Sequence, residues 1–390
     1  MINEPIIHPI KGRILIEELD ESEALLILTS VGNLGAVKVR FLIHHFGSAL
    51  QALLATPEEI SKFAGFGSKI LTSWARWPID ESWKRNLLLV AKCGVTLLPY
   101  TSQHYPKRLL EIADAPVLLY VKGTLIPADQ RSIAIIGTRQ ASIYGLEMAK
   151  KFASELTAFG FTIVSGLARG VDTAAHQGAL ERGRTLAVIG SGLADIYPGE
   201  NRALAERLSG QGALISEFPM ETPPDRQNFP QRNRIVSGIT LGTLLIEAPL
   251  KSGAMITMEK GIEQGRSLFA LPGRIDNDNF RGNHHLIKKG KALLVETGAE
   301  IAAYLDGLFG DFHPLPTAAK PASSIIPLDK EEERVLRCFP SQELSVEEIF
   351  AFAKISISAL NVLLMKLVLK GYLKEFPGKV YKKIGIANNG

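Results

Sequence analysis

Cysteine is scarce in this sequence: Cys93 and Cys338 are the only two in 390 residues, too few for a disulfide framework and without metal-ligand spacing. That scarcity fits a reducing cytoplasm. Long hydrophobic runs are missing too; stretches such as 87–90 and 367–369 fall well short of the ~20 residues that span a bilayer. The amino terminus, MINEPIIHPIKGRILIEELDESE, lacks the basic start, apolar stretch and cleavage site of a secretory signal, so a cytoplasmic protein without a membrane partner is expected. Neither sign of charge prevails, with 44 Lys+Arg against 40 Asp+Glu and a net charge of +4. Such a balance permits a polyanionic partner without demanding one.

Catalytic signatures are equally absent. There is no G-x-G-x-x-G, no G-x-x-x-x-G-K-[ST] and no G-x-S-x-G, and no His/Cys/carboxylate cluster with ligand spacing. His284 and His285 are adjacent and point apart on most backbones. Nothing in the residues calls for a cofactor, a metal or a catalytic group, and the expectation is a protein that is not an enzyme.

What is present is enough chain for two to three domains, with a composition, 46% hydrophobic and 22% charged, close to that of folded proteins. Residues 1–90 read as a helical module of SAM or helix-hairpin-helix type. Its turns Val31-Gly32-Asn33-Leu34-Gly35 and Ala64-Gly65-Phe66-Gly67 each precede a helix; they can offer N–H groups to phosphate or simply close tight interhelical turns. Residues 91–310 switch to short apolar runs that end at glycine-rich loops and alternate with helical stretches: IAIIG, FTIVSG, LAVIG, ALISE, TLLIEA, SLFALPG and ALLVE. That alternation predicts an α/β, Rossmann-like parallel sheet with helices on both faces. Two earlier runs, CGVTLLPY and PVLLYVKG, are strand-like, as an edge hairpin or as a bridge between domains. Residues 311–327 are rich in Pro, Ala and Ser and read as a linker. Residues 328–390 suggest three short amphipathic helices and a strand pair, a winged-helix-like module with lysines gathered near its end, suited to DNA or to a protein partner.

In an open parallel sheet, ligands bind beyond the carboxyl ends of the strands, so the loops after each run share one rim. The first holds Gly137 and Arg139 and leads into a helix; the second holds Ser165, Gly166 and Arg169. Asp172 and His176, four apart, form a metal pair or, more simply, a helix-start carboxylate and a packed histidine. A third loop carries Gly190-Ser191-Gly192 and then Asp195, Tyr197 and Pro198. The fourth, FPQRNRIVSG, places Phe229 ahead of Arg232, Asn233 and Arg234. Arginines two apart on a helix point in different directions, so one is expected to meet nucleic acid and the other to hold Glu217 or Glu247. Phe229 is suited to stacking a base or to filling the core. Ser252 and Gly253, at a turn into a helix, supply another candidate anion-binding turn. Five loops, three of them bearing arginine, point to an extended polyanion, because arginine is seldom buried without a partner.

The motifs IIGTRQASIYG, SGLARGVDTAAH, FPQRNRIVSG, EAPLKSGAMIT and ALPGRI, in this order, resemble the DNA-processing protein A family (DprA/Smf). The resemblance implies a non-enzymatic recombination mediator that binds single-stranded DNA during natural transformation, protects it, helps load the RecA recombinase, and forms a homodimer through the Rossmann-like domain. It implies phosphate contacts at Arg139 and Arg169, supported by Arg232, Asn233 and Arg234, with Gly137, Ser165 and Gly166 shaping the loops. Gln231 departs from the basic residue found in some relatives, and Lys260 and Gly261 stand where smaller or apolar residues are expected. The competing class is a nucleotide phosphoribohydrolase-like enzyme on a related fold; GITLGTLLIEA lacks the double glycine of its PGGxGT pattern. A third reading is an interaction scaffold whose tail recruits partners.

Overall fold

The computed structural model describes residues 19–310, 328–339, 343–353, 355–376 and 378–383. The expected linker, 311–327, lies outside the described residues. The chain divides into two compact units, one containing residues 19–310 and the other the described residues from 328 onward.

The first unit opens with six helices: α1 (Glu21–Ser30), α2 (Ala36–Phe46), α3 (Ala49–Leu54), α4 (Pro57–Ser61), α5 (Ser68–Trp74) and α6 (Ser82–Lys92). The starts of α1 and α4 carry capping boxes, Asp20 with Glu23 and Thr56 with Glu59, which satisfy the orphan amides of the first turn. Short helices of this kind persist by tertiary packing, and here Leu26, Leu28, Leu42, Ile60 and Trp74 make the common core.

Nine strands follow: β1 (Val95–Pro99), β2 (Leu118–Gly123), β3 (Ser132–Ile136), β4 (Thr162–Ser165), β5 (Thr185–Val188), β6 (Ala213–Ser216), β7 (Gly242–Leu245), β8 (Ser267–Ala270) and β9 (Leu293–Leu294). They form one sheet in the order β1-β2-β6-β5-β4-β3-β7-β8-β9. From β6 to β9 every pairing is parallel, as the alternating apolar runs predict. The two additional strand-like runs are an antiparallel edge hairpin, β1 with β2, which joins the sheet through antiparallel pairing of β2 with β6.

Side chains alternate between the sheet's faces, so each strand feeds two cores. Ile133 and Ile135 pack with Phe152 and Leu156 of α7 (Ile143–Ala158), Ala175 of α8 (Val171–Ala179) and Leu305 of α13 (Gly298–Phe309). Ala134 and Ile136 pack with Ile235 and Ile239 of α10 (Asn228–Ile239) and Met258 of α11 (Gly253–Glu263). Helices α9 (Arg202–Gln211) and α12 (Arg281–Lys288) complete the layers. The helical module shares a core with β2, where Trp83 and Val90 join Leu118 and Tyr120. Asn86 bolts it down, its Nδ2 donating to Tyr120 Oη at 2.8 Å and its Oδ1 accepting from Met220 N at 2.9 Å.

The second unit contains α14 (Lys330–Arg337), α15 (Val346–Ala353) and α16 (Ile357–Leu369), with strands β10 (Leu344–Ser345), β11 (Leu373–Phe376) and β12 (Val380–Lys383). The strands form an antiparallel sheet in the order β10-β12-β11. The three helices and the strand pair agree with the sequence pattern, and β10 is an addition to it.

Candidate nucleic-acid interface

Strand β3 lies between β4 and β7, so connections leave it in opposite directions and a crevice is expected where the two loops part. Glu247, fully buried, fills that crevice. Its carboxylate accepts from Ser142 N at 3.1 and 3.2 Å, from Ser142 Oγ at 2.7 Å and from Asn279 Nδ2 at 3.0 Å. A carboxylate thus stands at the start of α7, the place where a nucleotide phosphate sits in many sheets of this kind. Thr138 N donates to the Glu247 carbonyl at 2.7 Å, which ties the loops together.

The open cleft is displaced toward β4 and β5. It is lined by Arg139 from the loop after β3, Gly166, Ala168 and Arg169 from the loop after β4, Gly190, Ser191, Tyr197 and Pro198 after β5, and Phe229 from the first turn of α10. Arg139 is exposed and its guanidinium carbon stands 4.9 Å from the Phe229 ring centre. Among the described residues no carboxylate pairs with it. Tyr197, 42% exposed, faces the same ring at 6.4 Å between centroids, tilted by 47°. A Cβ on Gly190 would come within 3.1 Å of Phe229, so glycine there gives the ring its seat. Arg169 leaves a loop with left-handed backbone on both sides, Leu167 at φ +56° and Gly170 at φ +74°. Glu200 takes its guanidinium fork, with Nε–Oε1 at 2.5 Å and Nη2–Oε2 at 2.9 Å.

Below the cleft lies a buried charged floor. Arg232 is 4% exposed, and its Nη1 donates to the carbonyls of Gly166, at 2.6 Å, and of Val188. Burial lowers its pKa to about 10, with Asp172 opposing the shift and Arg139 adding to it. Asp172 accepts from the amides of Gly166 and Ala168 at 3.1 and 3.3 Å, and burial raises its pKa. Gly166 separates the two side chains: a Cβ there would lie 2.4 Å from Arg232 Nη1 and 2.6 Å from Asp172 Oδ2. His176 is buried with Nδ1 2.7 Å from Thr185 Oγ1, and desolvation pushes its pKa down to about 3. The carboxylate and histidine therefore close a loop and pack a helix, the simpler of their two expected roles. Among the described residues no three His, Cys, Asp or Glu side chains gather as a metal set.

The expected site residues separate accordingly. Arg139, Gly166, Arg169 and Phe229 come together at the cleft. Arg232, Asn233 and Arg234 do not face it openly: all three are buried, which corrects the expectation that one arginine of the pair meets nucleic acid. Arg234 holds Glu217 through Nη2 at 2.7 and 2.6 Å, the role expected of one arginine of the pair, and Asn233 donates to the Gly253 carbonyl at 3.2 Å. The physical reason for Arg232 is that two strand-end carbonyls and Asp172 supply what water would. Ser165 is a structural donor to Ile135 O at 2.7 Å, and Gly137 has Val171 and the Glu247 carbonyl where a Cβ would stand. Ser252 caps α11 by accepting from Met255 N at 3.3 Å; neither it nor Gly253 lines the cleft. Lys260 pairs on the surface with Glu263 at 2.6 Å, while Gly261 packs closely on Leu268, so both fit the helix. Tyr197 and Glu200 both belong to the YPGEN run after the third strand loop, where no motif or spacing singles out the glutamate.

The family described as DNA recombination-mediator protein A matches residues 96–306. The chain belongs to this family. Protein Smf of Escherichia coli is 39% identical over 289 residues, covering 72% of this chain and 76% of that one. Protein Smf of Synechocystis is 30% identical over 385 residues, covering 91% and 97%. Among solved structures, DNA processing protein A of Streptococcus pneumoniae superposes with a TM-score of 0.62 at 30% identity, covering 76% of this chain and 99% of that one. The Helicobacter pylori protein, whose structure addresses its single-stranded DNA binding mode, gives a TM-score of 0.50 at 30% identity over 56% of this chain and 97% of its own. The family match thus falls on the sheet whose loops build the cleft.

Proposed function

We propose that this family member binds single-stranded DNA along the cleft of Arg139, Arg169, Tyr197 and Phe229. The observation that carries the reading is the convergence, on one rim, of a half-buried aromatic stacked by an exposed arginine and a second arginine from the neighbouring loop. Arginines engage successive phosphates, and rings stack bases whatever their identity, which is the chemistry of strand binding without sequence preference. The single-stranded DNA binding mode described for the Helicobacter pylori relative supports the same partner. From family membership we further infer a cytoplasmic, homodimeric mediator that protects strands during transformation and helps load RecA.

We also propose that the protein is not an enzyme. Glu217 and Glu247, the carboxylates available as acid and base, are engaged, one by Arg234 and the other by Ser142 and Asn279. The carboxyl-terminal unit we read as a winged helix that contacts protein. The exposed side of α16 carries Ile357, Val362, Met365 and Leu369 with Lys366 as its one cation, a poor complement to a DNA groove.

Fluorescence anisotropy of a labelled oligothymidine with wild type and Arg139→Ala/Arg169→Ala, at two salt concentrations, tests the DNA reading. Wild type should bind with an affinity that falls steeply with salt, and the folded double variant should lose most of it. Equal binding by both proteins moves DNA to another module, and a salt-insensitive, duplex-specific interaction overturns the reading.

A further inference from the structure

We infer that Glu200 is a built-in stand-in for a DNA backbone phosphate, and that its hold on Arg169 makes the cleft select strands over free mononucleotides. This rests on the single-stranded DNA reading above. The carboxylate occupies Nε and Nη2 of Arg169, the same planar fork that a phosphate takes in bidentate recognition. The pair is not a chance meeting of two long side chains. Glu200 sits on a short turn, Gly199–Asn201, and the next residue, Asn201, is buried and donates from Nδ2 to Leu167 O at 2.9 Å and to Thr173 Oγ1 at 2.8 Å. Asn201 thereby clamps the turn onto the loop that presents Arg169, on either side of which Leu167 and Gly170 hold left-handed backbone. Both partners remain more than half exposed, 57% and 54%, so water and salt screen the pair and a ligand can displace it.

Arg139, on the same rim, has no carboxylate partner among the described residues and is stacked on Phe229. The two arginines therefore differ in what they require of a ligand. Any phosphate can reach Arg139, but only one that outcompetes a tethered carboxylate can take Arg169. A strand already held at Arg139 and Phe229 delivers its next phosphate at high effective concentration, whereas a mononucleotide or inorganic phosphate competes unaided. The carboxylate lowers the affinity for every ligand, and it does so most for the short ones.

The experiment uses the full chain, wild type and Glu200→Gln, with labelled oligothymidine as probe and thymidine monophosphate and inorganic phosphate as competitors. Glu200→Gln should bind the strand several-fold more tightly, because the phosphate that reaches Arg169 no longer displaces a carboxylate. It should also become sensitive to the two competitors at concentrations that leave wild type unaffected. In an Arg169→Ala background the gain should vanish, which separates the direct pair from a general loss of negative charge. Unchanged or weaker binding by Glu200→Gln overturns the inference, as does a gain that survives without Arg169. Wild-type affinity retained by Arg139→Ala/Arg169→Ala instead overturns the cleft reading itself, and absence of strand binding by wild type overturns both.

Discussion

The guanidinium of Arg139 lies over the face of Phe229, 4.9 Å from the ring centre, while Arg232 approaches the same ring from the buried side at 5.9 Å. One aromatic thus carries a solvent-facing cation and rests on an interior one. Replacing the ring separates stacking from charge. Phe229→Ala should weaken oligothymidine binding by about 1–3 kcal/mol, the usual worth of one base–aromatic stack, and leave the salt slope near that of wild type. Phe229→Tyr should keep most of the affinity. Anisotropy titrations at several salt concentrations measure both quantities, and a slope that falls with the ring would show that Phe229 acts through Arg139.

Arg139 and Arg232 are expected to part on stability. Arg232 is buried, bonded to the carbonyls of Gly166 and Val188, and balances Asp172. Arg232→Met should cost about 3–5 kcal/mol, because it removes the counter-charge of buried Asp172 and the donor to two carbonyls inside the protein. Arg139→Ala, at an exposed site, should unfold at the wild-type temperature. Thermal melts followed by circular dichroism decide this; equal melting of the two variants would return Arg232 to the list of direct ligand contacts.

The contrast between these arginines shows where sequence reading stops. Seven parallel strands were legible because each is a short apolar run closed by glycine or a polar turn, and the rim was legible because such loops lie at the strands' carboxyl ends. That one arginine of the pair would hold a carboxylate followed from helix directions, whereas its being Arg234 with Glu217 did not. The burial of Arg232 did not follow, since its acceptors, Gly166 and Val188, are far away in sequence and meet only across the sheet. Glu200 was hidden for the same reason: its partner Arg169 belongs to a different loop, and Asn201 ties the two loops together through Leu167. Likewise the crevice expected from strand order is present in the topology but filled by Glu247, which no local pattern announces.

His176 gives the first unit an acid sensitivity. Its folded pKa, about 3, lies below the ordinary value of 6.5 because burial disfavours the imidazolium. In that window the unfolded chain binds the proton and the folded chain does not. The contribution of His176 to stability is therefore complete above about pH 6.5 and is lost progressively as the pH falls toward 3. His176→Leu should flatten the dependence of unfolding free energy on pH across that window by up to about 1.4 kcal/mol per pH unit. Urea titrations at stepped pH test it, and parallel curves for the two proteins would place the acid sensitivity elsewhere.

Glu247 separates a structural carboxylate from a catalytic one. It receives two donors from Ser142 and one from Asn279 in a fully buried setting, and Gly145 leaves it room, since a Cβ there would stand 2.0 Å from Oε2. A general base of a nucleotide hydrolase would need that carboxylate to face a substrate or its water. Here its acceptor capacity is spent on the start of α7. Glu247→Ala should orphan three donors and lower stability by roughly 3 kcal/mol, while Glu247→Gln, which keeps one acceptor oxygen, should cost less. Both folded variants should bind oligothymidine within about twofold of wild type, because the cleft lies on the other side of β3. Chromatography of nucleoside monophosphates incubated with wild type should show no released base. Release that disappears in Glu247→Gln would reassign the carboxylate to catalysis and the protein to the hydrolase class.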